Sequence, residues 1–355
     1  MTNVTADLGV SADLGVRDSM LHGSLPVLTH FGLASTDESV PELLETFLGG
    51  FAPRLQSFWL KGIPFPSFPK FILSFSHIVN LDLSEIPSSG YISPEAMATC
   101  LAALPNLITL FIGFRSPPSR PLRSSPPHLT RAVLPGLSYL AFSGVSEYLE
   151  DFVARIDTPR LTTLNVAFFM DLIFDIPRLR NLIHHTEGLK SFDKAVIEFS
   201  GRSVKIVFGS PPWFGLEIKC ERPDWQLSSM TQIFNHQLPL LFLVEQLEIW
   251  QSPLGLEWKD DPDMDSSQWL ELFRLFVAAQ SLHVSERLVS LVARALQDLT
   301  GQMATEVLPV LRTLFLEGLE SSGPVHEAMK PFVTARQLSH QPVVIQRWER
   351  QEPRP

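Results

Sequence analysis

The chain has 355 residues, of which 45% are hydrophobic and 19% charged, with 29 prolines and 19 glycines. That apolar content supports a large core and excludes wholesale disorder, and no apolar run approaches the ~18 residues needed to cross a bilayer. Lys+Arg 28 against Asp+Glu 38 leaves a net charge of −10, so neither a nucleic acid backbone nor an anionic membrane is expected as a partner.

Residues 1–23 carry Ala6-Asp-Leu-Gly-Val10 and a near copy, Ala12-Asp-Leu-Gly-Val16, with no apolar block of the secretory kind. They read as a flexible tail. From residue 24 onward a motif, Pro-x-Leu-x-x-Leu-x-Leu, recurs along the chain. A first partial copy is Pro26–Phe31, followed by Pro53–Leu60, Pro105–Ile112, Pro135–Phe142, Pro159–Val166 and Pro309–Leu316. Copies without the proline are Ile78–Leu83, Leu189–Phe192, Val244–Ile249 and Ala279–Val284. The first apolar positions are 23 to 35 residues apart, except for one step of 55 that leaves room for a degenerate copy near Leu216. Units of this size that open on a short alternating strand match leucine-rich repeats.

Helix signals fall between the strand motifs. Pro41-Glu42 opens a run that stops at Gly49-Gly50, with proline and glycine at the ends they favour. Ser93-Pro94-Glu95 precedes Ala96 to Leu104. Ser146 precedes Tyr148, Leu149, Phe152 and Val153 at helical spacing, and Ser267 and Ser285 precede similar runs, so these serines are expected as caps. Gly323-Pro324 opens a last helix toward Leu338. Two stretches interrupt the pattern. Ser116 to Pro127 is proline-rich and reads as a loop, and 197–220 alternates in two runs split by Gly209-Ser-Pro-Pro212, which reads as a hairpin-like insertion. The expected fold is therefore α/β, a repeat solenoid of horseshoe type over 24–340 with a mostly parallel sheet on its concave side, and a strand or tail over 341–355.

Residues that could carry chemistry are scattered. His326-Glu327 lacks a second histidine one turn on, where Lys330 stands, so the zinc-protease helix motif is incomplete. Asp261, Asp263 and Asp265 have the rhythm of a calcium loop, but Ser266 and Leu272 replace its glycine and its bidentate carboxylate. His184-His185 closes a helical run, where histidines favour the helix dipole. Cys100 and Cys220 are too few for a disulfide framework and suit a reducing compartment, cytoplasm or nucleus. No catalytic residue, metal site or cofactor site is expected. The alternation of the strands instead points Trp59, Asp82, Phe111, Ala141, Asn165, Glu248, His283 and Phe315 onto the open face of the sheet. Those residues other than Ala141 are the candidate partner-binding set, because large aromatics on such a face can anchor another protein.

The segment from Glu221-Arg-Pro-Asp-Trp225 through Val244–Ile249, Trp269-Leu-Glu-Leu-Phe273 and Glu306 to Leu319, ending on Phe332 to Leu338, resembles a known family. It is similar to the leucine-rich-repeat portion of the expanded F-box proteins of mushroom-forming fungi. The resemblance covers most of 24–350. It implies a non-catalytic interaction module that recruits another protein for ubiquitination, docking on a ligase adaptor only where an F-box is supplied upstream. No Leu-Pro-x-Glu-Ile-like F-box helix precedes the repeats here. The alternatives are a hydrolase with a site dispersed over the repeats and a decayed copy without function.

Overall fold

The structure is a computed structural model. It describes residues 2–7, 27–35, 52–73, 75–116, 131–169, 176–190, 192–210, 212–220, 222–235, 239–252, 266–299, 301, 303–319 and 323–349. The expected helix over Pro41 to Leu48, the Ser116–Pro127 loop apart from Ser116, and Asp261, Asp263 and Asp265 lie outside these residues. The chain forms two compact units, Met1–Phe169 with Ile176–Leu189, and Met170–Asp175 with Lys190–Pro355.

In the first unit the strands β1 (Thr2–Asp7), β2 (Leu28–Ala34), β3 (Ser57–Lys61), β4 (Asn80–Ile86), β5 (Thr109–Phe114), β7 (Tyr139–Gly144) and β9 (Thr163–Phe169) lie side by side in that order. Every neighbouring pair is parallel. Two short strands, β6 (Ala132–Val133) and β8 (Ile156–Asp157), pair separately. Thr2–Asp7, expected within a flexible tail, is a strand instead; its alternating Thr2, Val4 and Ala6 suit a pleated edge.

The leucine motif sets the register. Phe31, Phe58, Leu81, Leu110, Leu140 and Leu164 align across consecutive strands, and so do Leu33, Leu60, Leu83, Ile112, Phe142 and Val166. All twelve are buried, Leu110, Leu140 and Leu164 completely. One carbonyl per repeat also accepts two successive N–H groups of the next. Gln56 O takes Val79 N and Asn80 N, Val79 O takes Ile108 N and Thr109 N, Ile108 O takes Ser138 N and Tyr139 N, and Ser138 O takes Thr162 N and Thr163 N. The repeat read from the sequence is thus a repeat of backbone geometry. Behind the leucine rows stand α1 (Phe68–Ile72), α2 (Pro94–Leu101), α3 (Ser146–Val153) and α4 (Pro177–His185), each packed on the next.

The second unit orders its strands β12 (Trp213–Lys219), β11 (Ser203–Gly209), β10 (Lys194–Phe199), β13 (Gln246–Gln251), β14 (Ser281–Val284), β15 (Thr313–Glu317) and β16 (Val344–Trp348). From β10 through β13, β14 and β15 to β16 the pairing is parallel. Asp193 O, Glu245 O and Gln280 O repeat the double-acceptor pattern of the first unit. The helices are α5 (Pro223–Asn235), α6 (Ser266–Arg274), α7 (Glu286–Gln297), α8 (Met303–Glu306) and α9 (Pro324–Leu338).

Several local expectations need correction. The hairpin expected within 197–220 is β11-β12, and β10 pairs with β11 as well, which makes a three-stranded antiparallel meander. Leu216 lies in β12, which pairs antiparallel with β11. Ser146 begins α3 without capping it, its hydroxyl donating to Glu147 Oε2. Ser285 is at the N-cap position of α7, but its Oγ accepts from Gln251 N, while Glu317 Oε2 accepts from Glu286 N at 3.0 Å. A carboxylate from the next strand takes the orphan donor that a local serine would otherwise take. Ser93 does behave as a cap, accepting from Ala96 N at 3.2 Å.

Candidate functional site

The face of the sheet opposite the leucine rows is built by the same alternation that builds the core. In the first unit Gly32, Trp59, Asp82, Phe111, Ala141 and Asn165 form one straight row across β2 to β9. In the second, Val196, Glu248, His283, Phe315 and Gln346 form another across β10, β13, β14, β15 and β16. The seven candidate residues thus fall on two rows, Trp59, Asp82, Phe111 and Asn165 in one unit, and Glu248, His283 and Phe315 in the other. All are partly exposed except Glu248, which is 7% exposed; Ala141, at 1%, lies beneath its neighbours.

In the first row the aromatic rings lie down on glycines. The Trp59 indole covers Gly32 so closely that a Cβ there would collide with Cε2 and Nε1, and the Phe111 ring leans along its own strand to Gly113, with Cε1 2.8 Å from where a Cβ would stand. Trp59 and Phe111 lie two strands apart, roughly 10 Å at a spacing of ~4.8 Å per strand. Asp82 stands between them. Burial pushes its carboxyl above the usual aspartate range, against the Ser84 hydrogen bond and the Lys61 charge, which both pull it down. Its Oδ1 is shielded from solvent and has no hydrogen-bond partner. The nearby Lys61 Nζ bonds Glu85 Oε1 at 3.1 Å. Glu85 sits at φ +52° where β4 bulges between Leu83 and Ile86, which turns its side chain out of the strand's alternation.

The second row is chemically different because its carboxylate is neutralised. Glu248 Oε2 bonds Lys194 Nζ at 3.0 Å. The His283 ring stacks on Phe315 at 4.2 Å and meets the edge of Trp348 at 5.1 Å. Gln246 Nε2 lies 3.3 Å from His283 Nε2, and Nδ1 is buried without a partner. Burial lowers the basicity of His283 more than the Glu248 charge raises it, and Lys194 lowers it further, which favours the uncharged ring. An uncharged imidazole stacked between aromatics acts as a flat contact surface.

The sequence reading missed Tyr139, Trp348 and Lys194. Tyr139 precedes Leu140 in the motif, on the same face as Ala141 and two residues before it, and the signal was there in the alternation. Burial first, and then the Asp82 charge, raise its phenol above the usual range. Trp348 could be found from the alternating Val344–Trp348 run.

Elsewhere the reactive residue types are engaged structurally. Cys100 and Cys220 are buried and form no disulfide, Cys220 Sγ donating to Arg222 O, and burial pushes the Cys100 thiol to about 11. At the end of α4, His185 Nδ1 lies 2.8 Å from Asn181 O, and the His184 and His185 rings meet edge to face at 5.1 Å. Glu327, beside His326, bonds Lys330. Among the described residues no group of three His, Cys, Asp or Glu side chains is placed to hold a metal ion, and no helix is long and apolar enough to cross a membrane.

No protein-family model and no curated protein matches the chain. Among solved structures, the leucine-rich repeat-containing protein LegL7 from Legionella pneumophila is similar at 13% identity and a TM-score of 0.35, over 97% of this chain and 99% of that one.

Proposed function

We propose that the chain is a non-catalytic protein-interaction module built on a leucine-rich-repeat-like solenoid, and that it binds its partner through the sheet face opposite the leucine rows. The observation that carries this reading is the first-unit row. Trp59, Asp82 and Phe111 stand side by side, half-exposed, on strands whose other face is fully committed to the core. A solvated face of an antiparallel or open sheet is more usually lined by polar residues. On a binding face aromatic rings add contact area for few rotatable bonds. Glycines under the rings leave room for them to lie flat on the sheet.

The finer reading is the substrate-recruiting part of an F-box-type ubiquitin ligase receptor in a reducing compartment, cytoplasm or nucleus. It is supported by the sequence resemblance, strongest over the second half of the chain, and by two buried cysteines that form no disulfide.

Affinity purification with mass spectrometry tests both levels. The wild-type chain should recover a defined protein partner that Trp59→Ala/Phe111→Ala, checked to be folded, does not recover. Ligase-adaptor subunits should appear only when an F-box is fused upstream. An unchanged partner set for the double variant would move the binding surface off this face.

A further inference from the structure

Asp82 differs from Glu248, the other carboxylate of the two rows, in having spare capacity. Glu248, its counterpart in the second unit, has Lys194 at 3.0 Å. Asp82 has no salt bridge at that range among the described residues; the nearest basic group acting on it, Lys61, is bonded to Glu85. Its Oδ1 has no hydrogen-bond partner, which is costly for a shielded carboxylate oxygen. Trp59 and Phe111 occupy the same row on the strands either side, and Tyr139 lies close enough to feel the Asp82 charge. A carboxylate set among aromatic faces is the arrangement that attracts a cation twice, by charge pairing and by the ring quadrupoles. The net charge of −10 adds a long-range pull on a basic partner.

We propose that Asp82, flanked by Trp59 and Phe111 with Tyr139 beside them, receives a cationic side chain, arginine or lysine, carried by a basic segment of the partner protein. The inference rests on the reading of this sheet face as the partner surface and names the chemistry that the face selects. The rings supply area and the carboxylate supplies the sign. The partner cation pairs with the carboxylate's charge, which has no salt bridge among the described residues.

Labelled peptides of alternating glycine and arginine, glycine and lysine, and glycine and glutamate test this by fluorescence anisotropy with the full chain. One or both basic peptides should bind, more weakly as salt rises, and the acidic peptide should not; the arginine and lysine arms separate guanidinium from ammonium recognition. Asp82→Asn should lower the affinity at least about tenfold, whereas Glu95→Gln, an exposed acid on α2, should leave it unchanged. Phe111→Leu should fall between. Equal binding by Asp82→Asn, or no preference of the wild type for basic over acidic peptide, overturns the proposal. A natural partner that Trp59→Ala/Phe111→Ala loses and Asp82→Asn retains would overturn it too while leaving the interaction face standing. A partner retained by all variants would remove the face itself.

Discussion

The indole of Trp59 on β3 lies flat over Gly32 on β2, filling the space that any side chain at position 32 would need. The small residue on one strand is therefore the seat of the large one on the next. Gly32→Ala should displace the ring and cost about 1–3 kcal/mol, the range for an overpacked site. Chemical denaturation would show the lower midpoint. Midpoints equal for Gly32→Ala and wild type would mean that the indole is free to move aside.

The leucine rows predict a larger effect. Leu140 and Leu164 are completely buried and aligned with each other across β7 and β9. Replacing either by alanine should cost ~2–5 kcal/mol through lost transfer energy and the cavity left behind. Urea unfolding checks this, and a change of a few tenths would show that these rows are not the core.

Glu150 on α3 ties one repeat to the next. Its Oε2 accepts from Arg178 N and its Oε1 from Leu179 N, both at 2.8 Å, at the start of α4. The carboxylate is 9% exposed, so its removal strands two helix N–H groups. Glu150→Ala should cost about 1–3 kcal/mol, and Glu150→Gln, which keeps one acceptor oxygen, should cost less. Thermal unfolding of the pair decides it.

Asp82 should have the opposite sign. Its carboxyl is raised from an ordinary value of 3.8, chiefly by burial. The folded state therefore holds a proton that the unfolded state has already lost, and stability falls as pH rises from 3.8 through the folded value. Above that window the full penalty is present. Asp82→Asn should thus unfold later than wild type at pH 7, with the gain vanishing once the pH drops below the unfolded value. A variant less stable at pH 7 would show that the carboxylate supports the fold. A gain in stability joined to a loss of binding is the mark of a residue kept for function.

Much of this was legible in the sequence because the motif encodes geometry directly. The spacing of leucines fixes which residues face inward, and a period of two fixes their neighbours outward. Hence the alternation alone puts Trp59, Asp82, Phe111 and Asn165 on one face, and Leu140 and Leu164 on the other. What was not legible depends on distant partners. Ser285 reads as a cap from local pattern, yet Glu317, from the following strand, supplies the acceptor to Glu286 N. The reversal of β11 and β12 could be suspected from Gly209 and the prolines, but not the pairing of β10 with both β11 and β13. That Glu248 is neutralised and Asp82 is not follows from Lys194, which no strand motif contains.

The measurement that bears most directly on the interaction face is hydroxyl-radical footprinting of the chain with and without its captured partner, read at individual aromatic residues. Trp59, Phe111 and Tyr139, all half-exposed in the free chain, should be protected in the complex, while Phe242, exposed in the turn before β13, should react as before. Protection confined to the helices, with Trp59 and Phe111 reacting as in the free chain, would contradict it.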